Sequence, residues 1–238
     1  MESEKRKYAE IAKKASSCLK DGRYAEAVKY YSIILEKYPN YIDGWYNMGI
    51  ALGEYLKRWE DAIEVFTKGL SINDRDIDMW HNKGKALFVL GRYEEAIRCF
   101  DRALELKPNY RISLEGKAAC LTNLGFYKQS IDCCDIVISR YPENHPRTWK
   151  AQSLKAMCLN NLGKYKQAVE VCNKVFTINP KDDGAWETKA AALACLGRYR
   201  EALACIEEAL RLNPNSGSAK KTKELISKGI EGTYMKEE

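Results

Sequence analysis

Apolar side chains along this chain recur every three or four residues, in pairs of stripes separated by a glycine and closed by a proline. Between residues 77 and 110, Trp80, Lys83, Gly84 and Leu87 fall on one helical face. Ala96, Phe100, Ala103 and Leu104 fall on the face of a second helix. Gly91 lies between the stripes, where a helix ends readily in a left-handed conformation that side chains with a Cβ disfavour. Pro108 closes the pair because it cannot continue the helix. Gly84 and Ala96 are small enough for close helix approach, with Tyr93 and Phe100 filling the space around that contact.

The same pattern repeats. Gly-x-Tyr steps stand at Gly22, Gly91, Gly125, Gly163 and Gly197, spaced 69, 34, 38 and 34 residues apart. The long interval conceals a degenerate copy, LKRWEDA, with Leu56 read in the glycine slot and Trp59 in the tyrosine slot. Prolines keep the beat at 39, 108, 142, 180 and 214, and Asp74 fills the missing one. These positions predict six two-helix repeats, at 8–41, 42–76, 77–110, 111–144, 149–182 and 183–216.

Spacing and residue choice resemble the tetratricopeptide repeat family. The third repeat carries the family pattern as Trp80, Gly84, Leu87, Ala96, Phe100, Ala103 and Pro108. The sixth carries it as Trp186, Ala190, Leu193, Ala202, Ile206, Ala209 and Pro214. The resemblance implies an all-α fold, a right-handed superhelical solenoid of antiparallel helix pairs forming a single domain over residues 1–230. It also implies a concave face lined by the first helix of each repeat.

Departures from the pattern carry their own expectations. The first repeat is weak, with Ile11, Ala15 and Cys18 in the family slots, as suits a terminal unit. The second holds one extra residue, placed in its turn. Residues His145 to Thr148 are additional and predict a first helix lengthened by about one turn, with Pro146 at its start. Ala219, Thr222, Leu225, Ile226 and Ile230 predict a capping helix over about 217–230, its lysines 220, 221, 223 and 228 facing away. Residues 231–238 read as a flexible tail.

The first helices hold the candidate ligand-facing residues: Tyr46, Asn47, Ile50, His81, Asn82, Lys85 and Phe88, then the more polar Glu115, Lys150, Ser153, Met157, Asn160 and Glu187. Asn47 and Asn82 share one slot, where an amide both donates to and accepts from a peptide backbone. Tyr46, Ile50 and Phe88 supply apolar anchors. The expected partner is therefore another protein, met as an extended peptide or a helix. Chaperone-binding members of the family grip a C-terminal carboxylate with a five-residue clamp. Its positions are here Ala12, Ser16, Asn47, Asp78 and Asn82, of which Asn47 alone matches, so a chaperone tail is not the expected ligand.

Lysines 14, 83, 117, 155 and 189 recur in a slot where the family often has leucine. Two readings compete: an acidic partner, or lysine stems laid along the core with the ammonium in water. The net charge is +6 over 238 residues, but residues 145–182 hold seven Lys/Arg against two Asp/Glu. Residues 42–76 hold four against seven. This asymmetry either orients an acidic partner toward the fifth repeat or is surface drift.

Nine cysteines without a Cys-x-x-Cys pair, and two distant histidines, argue against a metal site and a disulfide framework. They read as buried thiols in a reducing, cytoplasmic setting. No apolar run nears the ~18–20 residues of a membrane span. No phosphate loop, metal ligand set or nucleophile–base pair is legible, so the reading is non-enzymatic with no cofactor. Helical repeats of about 35 residues also read RNA, but the Trp, Gly and Pro placements here, and the lack of a continuous basic stripe, argue against nucleic acid. The alternative to groove binding is a structural subunit recruited through its outer surface.

Overall fold

The computed structural model describes residues 2–142 and 144–234. Among these are thirteen α-helices and no strand. They are α1 (Glu2–Lys20), α2 (Tyr24–Lys37), α3 (Ile42–Ile50), α4 (Trp59–Ile72), α5 (Ile77–Val89), α6 (Tyr93–Leu106) and α7 (Arg111–Asn123), followed by α8 (Tyr127–Ile138), α9 (Trp149–Asn161), α10 (Tyr165–Ile178), α11 (Asp183–Cys195), α12 (Tyr199–Leu212) and α13 (Gly217–Tyr234). The chain divides into two compact units, 1–120 and 121–238, with the division near the end of α7.

Each hairpin turns within a few residues. Gly91 takes a φ of 75°, and the Arg92 amide then reaches back five residues to the Leu87 carbonyl at 2.9 Å. The second repeat solves the same turn differently. Its left-handed residue is Lys57 (φ 57°), not Leu56, which has a φ of −89°. The extra residue is absorbed one step earlier, within the first helix. Ala51–Tyr55 forms a π-helical turn, the Leu56 amide bonds the Ala51 carbonyl at 3.1 Å, and Arg58 reaches back six residues to Leu52. Lys57 Nζ donates to the Glu54 carbonyl at 2.6 Å and lies 5.5 Å from the Trp59 ring, contacts that help hold a side chain where the other copies use glycine.

The core is built of paired slots. In the first unit Gly49 faces Phe66 and Gly84 faces Phe100, and a Cβ on Gly84 would lie 2.8 Å from the Phe100 ring. The room left by Gly84 is thus filled by an aromatic ring. In the second unit the corresponding pairs, by repeat spacing, are Ala156 with Cys172 and Ala190 with Ile206, all buried. Where the second helix brings a smaller side chain, the first can carry a methyl. The Ala15–Tyr31 pair departs from this rule. Eight of the nine cysteines are buried and Cys195 is exposed. Burial pushes the Cys99 thiol up to about 11 and that of Cys172 up to about 12.

Indole nitrogens tie three repeats to the preceding turn, Trp45 to the Pro39 carbonyl, Trp80 to Asp74 and Trp186 to Pro180, at 2.7, 2.8 and 2.9 Å. In the fifth repeat Gln152 stands in that slot and bonds Thr148 Oγ1 at 3.2 Å. The added residues 145–148 do not lengthen the helix. They fold into turns, with His145 bonded back to Pro142 and Thr148 to His145, and α9 starts at Trp149. Buried Thr148 makes this compact arrangement part of the core.

Helix α13 packs on α11 and α12. Ala219 and Ile226 are buried and Ile230 packs beside them, but Leu225 is 69% exposed. One residue before Ile226, Leu225 sits about 100° around the helix from it and points away from the contact. The helix continues to Tyr234, past the predicted limit, and residues 235–238 lie outside the described residues.

Candidate functional site

In the first unit the predicted residues converge, and they do so on one another. Asn82 donates to the Asp78 carbonyl at 2.8 Å and lies beside the Tyr46 hydroxyl one repeat away. His81 Nδ1 lies 3.0 Å from Ser113 Oγ, with its ring 5.6 Å from Phe100 and 5.8 Å from Tyr110. Lys85 pairs with Glu54 at 2.6 Å, and the Tyr110 hydroxyl donates to the Asp78 carboxylate. Glu115 pairs with Arg111 at 2.6 Å. Ile50 and Phe88 lie partly buried against the core, and Asn47 is half-buried on α3.

The electrostatics follow from this enclosure. Burial, reinforced by the Lys85 ammonium, lowers His81 to about 4, so the imidazole is neutral at pH 7. Burial and the Asp78 carboxylate raise the Tyr46 hydroxyl. Burial, and donation to Asp78, raise Tyr110. The π-turn positions two further members, carrying Glu54 to Lys85 and stacking Tyr55 on Tyr24 with ring centroids 3.9 Å apart. Sequence reasoning missed Glu54, Asp78, Tyr110 and Ser113 as members of this network. A signal existed: Asp78–Tyr110 and His81–Ser113 are both pairs of polar residues 32 apart.

Also missed was a cavity of about 540 Å³ in the weak first repeat, lined by Tyr8, Ala12, Ile34, Tyr38, Pro39 and Tyr41 among others. Tyr8 meets Tyr38 edge to face at 5.0 Å.

The remaining candidates belong to the second unit and are not joined into a network. Lys150 is exposed, with Nζ 5.5 Å from the Trp149 ring. Ser153 is half-buried and Met157 is 37% exposed. Asn160 holds its Oδ1 buried without a partner. Glu187 accepts from Ser218 at 3.1 Å.

Three of the five lysines in the series share a third arrangement, while Lys83 lies over the Trp80 ring with Nζ 5.6 Å from its centroid. In the first unit Lys117 pairs with Asp101 at 2.6 Å. In the second, Lys155 pairs with Asp135 at 2.5 Å, Lys189 donates to Asn173 at 2.8 Å and Lys223 pairs with Glu207 at 3.0 Å. Each lysine of this arrangement leaves a first helix and reaches the second helix of the preceding repeat. Lys223 extends the series into α13, which is therefore in register as a further first helix.

Tandem helix pairs tied by side chains one repeat apart define a helical-repeat protein. Models of the tetratricopeptide repeat match residues 7–41 and 77–110, and a model described as anaphase-promoting complex, cyclosome, subunit 3 matches 127–209. Among solved structures, a tetratricopeptide repeat protein from Parabacteroides merdae is similar with a TM-score of 0.75 and 18% identity, covering 97% of this chain and 93% of its own. PilW, a type IV pilus biogenesis factor, aligns with a TM-score of 0.71 and 20% identity over 90% of this chain and 97% of its own. YrrB, described as a TPR protein with an unusual peptide-binding site, aligns at 0.63 and 19% over 82% and 97%. None of the curated proteins matches in sequence. The chain belongs to the tetratricopeptide repeat family. No helix among the described residues is long and apolar enough to cross a membrane.

Proposed function

We propose that this chain is a non-enzymatic interaction scaffold whose first unit receives an extended segment of a partner protein along the first helices of its repeats. One observation carries the reading: Tyr46, Asn82, His81 and Lys85 form polar contacts across neighbouring repeats, on half-buried side chains flanked by Ile50 and Phe88. Such groups offer donors, acceptors and apolar surface together, which suits backbone recognition with side-chain anchoring. They are already paired, so a ligand exchanges partners instead of filling orphan sites. Asn47 and Glu115 complete this face in the proposal, and Lys150, Ser153, Met157 and Asn160 offer a separate, more polar one in the second unit. The peptide-binding site of YrrB supports the reading by analogy of fold.

The test compares partners captured by the wild-type chain with those retained by Tyr46→Phe combined with Lys85→Ala. These changes delete a hydroxyl and an ammonium without removing core volume. Loss of a partner from a variant with unchanged circular dichroism supports the reading; retention of every partner sinks it.

A further inference from the structure

We propose that the starts of α8, α10 and α12, in the second unit, form a docking edge for an acidic polypeptide segment with an apolar side chain among its carboxylates. Every second helix begins with an aromatic residue after the turn. In the first unit the next two residues are acidic or neutral: Ala25-Glu26, Glu60-Asp61 and Glu94-Glu95. In the second unit they are Lys128-Gln129, Lys166-Gln167 and Arg200-Glu201. The first turns of α8 and α10 hold no acid.

A helix start carries a partial positive charge, so acids there stabilise and cations oppose it. The first unit obeys this rule and also neutralises the arginine that precedes each helix. Arg23 pairs with Glu26 at 3.1 Å, Arg58 with Asp61 at 2.5 Å and Arg92 with Glu95 at 2.6 Å. In the second unit Arg198 keeps such a partner in Glu201 at 2.6 Å. Lys164 has Gln167 where that acid would be. Lys128, Lys164 and Lys166 are exposed and have no ion pair among the described residues. Lys128 and Lys166 thus stand unpaired in a slot where the first unit places alanine or glutamate, and Lys164 keeps the basic slot before the helix without the acid that pairs it elsewhere.

The edge also has a pocket. A cavity of about 330 Å³ brings Lys166, Val169 and Glu170 of α10 together with Leu196 and Arg198 of the turn before α12. Val169 and Leu196 give it an apolar lining and Lys166 supplies unpaired charge, while Arg198 is engaged by Glu201; Glu170, also on its wall, disfavours a carboxylate at that one point. Phe126, 53% exposed, stands at the start of α8.

Polypeptide is favoured over single-stranded nucleic acid because the latter binds by stacking bases on exposed aromatic rings. The rings that open these helices are turned inward: Tyr127, Tyr165 and Tyr199 are half-buried and Tyr199 packs on Gly229, so Phe126 alone is an exposed ring at this edge. This edge does not involve the face proposed above.

The experiment uses the full chain and a fluorescein-labelled peptide of alternating glutamate and leucine, followed by anisotropy at low and moderate salt. Wild type is expected to bind it, and Lys164→Glu with Lys166→Glu to weaken binding about tenfold or more. The same variant is expected to melt no lower than wild type, since it places negative charge at a helix start, which favours it. Failure of wild type to bind overturns the proposal, as does undiminished binding by the variant. Tighter binding of a single-stranded RNA of equal charge overturns the choice of occupant.

Discussion

The pairing of glycine with phenylalanine in the first unit is open to a direct energetic test at Gly84 and Phe100. Phe100 is 1% exposed, and a methyl at position 84 would meet its ring atoms at 2.8, 3.0 and 3.1 Å. Gly84→Ala alone therefore forces the ring to shift, an overpacking cost of about 1–3 kcal/mol. Against it stands a gain of about 1 kcal/mol for alanine over glycine in a helix interior. The net expectation is a loss of about 0–2 kcal/mol. Phe100→Ile alone leaves a void where the ring was and costs about 1–3 kcal/mol, a part of the full phenylalanine-to-alanine loss. The double variant reproduces the Ala190–Ile206 pair that the sixth repeat already uses. In that background the methyl enters vacated space, so Gly84→Ala changes sign and stabilises by about 1 kcal/mol. Gly116 also touches the Phe100 ring, where an added Cβ would lie only 2.6 Å from it, so some void remains and the double variant stays below wild type. Urea unfolding of the four proteins, with m-values checked for constancy, gives the coupling directly. If Gly84→Ala has the same effect in both backgrounds within about 0.5 kcal/mol, ring contact is not what selects glycine there.

Two further expectations concern pH and the cap. Because His81 is held near 4 in the fold and titrates near 6.5 when unfolded, the unfolded chain binds the extra proton first as pH falls. Its contribution is intact above pH 6.5 and is lost progressively down to about 4, by at most roughly 3 kcal/mol. The acid-induced fall in melting temperature should accordingly be smaller in His81→Gln than in wild type, and equal slopes would refute the enclosure of the imidazole. At the C-terminal end, Ile226→Ala should cost about 2–4 kcal/mol and Leu225→Ala almost nothing, since Ile226 is 1% exposed and Leu225 69%. Thermal melts of the two variants decide this, and equal losses would show that the helix packs on another face.

What could be read beforehand was whatever repeats with fixed chemistry. Gly91, Ala96, Phe100 and Pro108 stand for slots that recur along the chain, so their spacing reveals the hairpin before the fold is known. The failures fall where one copy differs. An inserted residue can be absorbed in a turn or as a π-turn, and the Gly-x-Tyr spacing separates the two: two residues back from Trp59 is Lys57, not Leu56, which leaves the extra residue to the helix before the turn. Pro146 suggested a helix start, but Thr148 is drawn inward with its hydroxyl bonded to the His145 carbonyl, and the extra residues become turns. Leu225 looked like core because its apolar character was counted without its angle on the helix relative to Ile226. For the candidate site, single residues were identifiable and their mutual bonding was not. Tyr46 finds Asn82, and His81 finds Ser113, only once the repeats are stacked.

Stacking also changes what the basic composition means. A surplus of Lys/Arg says little until each cation is assigned its partner. Lys117 and Lys155 could be read as cations offered to an acidic ligand, yet the carboxylate each needs lies on the preceding helix of the chain itself. Exposed pairs of this kind contribute little to stability, about 0.2–1 kcal/mol each, but they leave no charge for another molecule to satisfy. Lys128, Lys164 and Lys166 attract no notice as a series, and they are the ones without an ion pair among the described residues, set against the helix starts they border. The informative cations are those whose position works against the fold, because a local electrostatic cost with no internal return needs an external one.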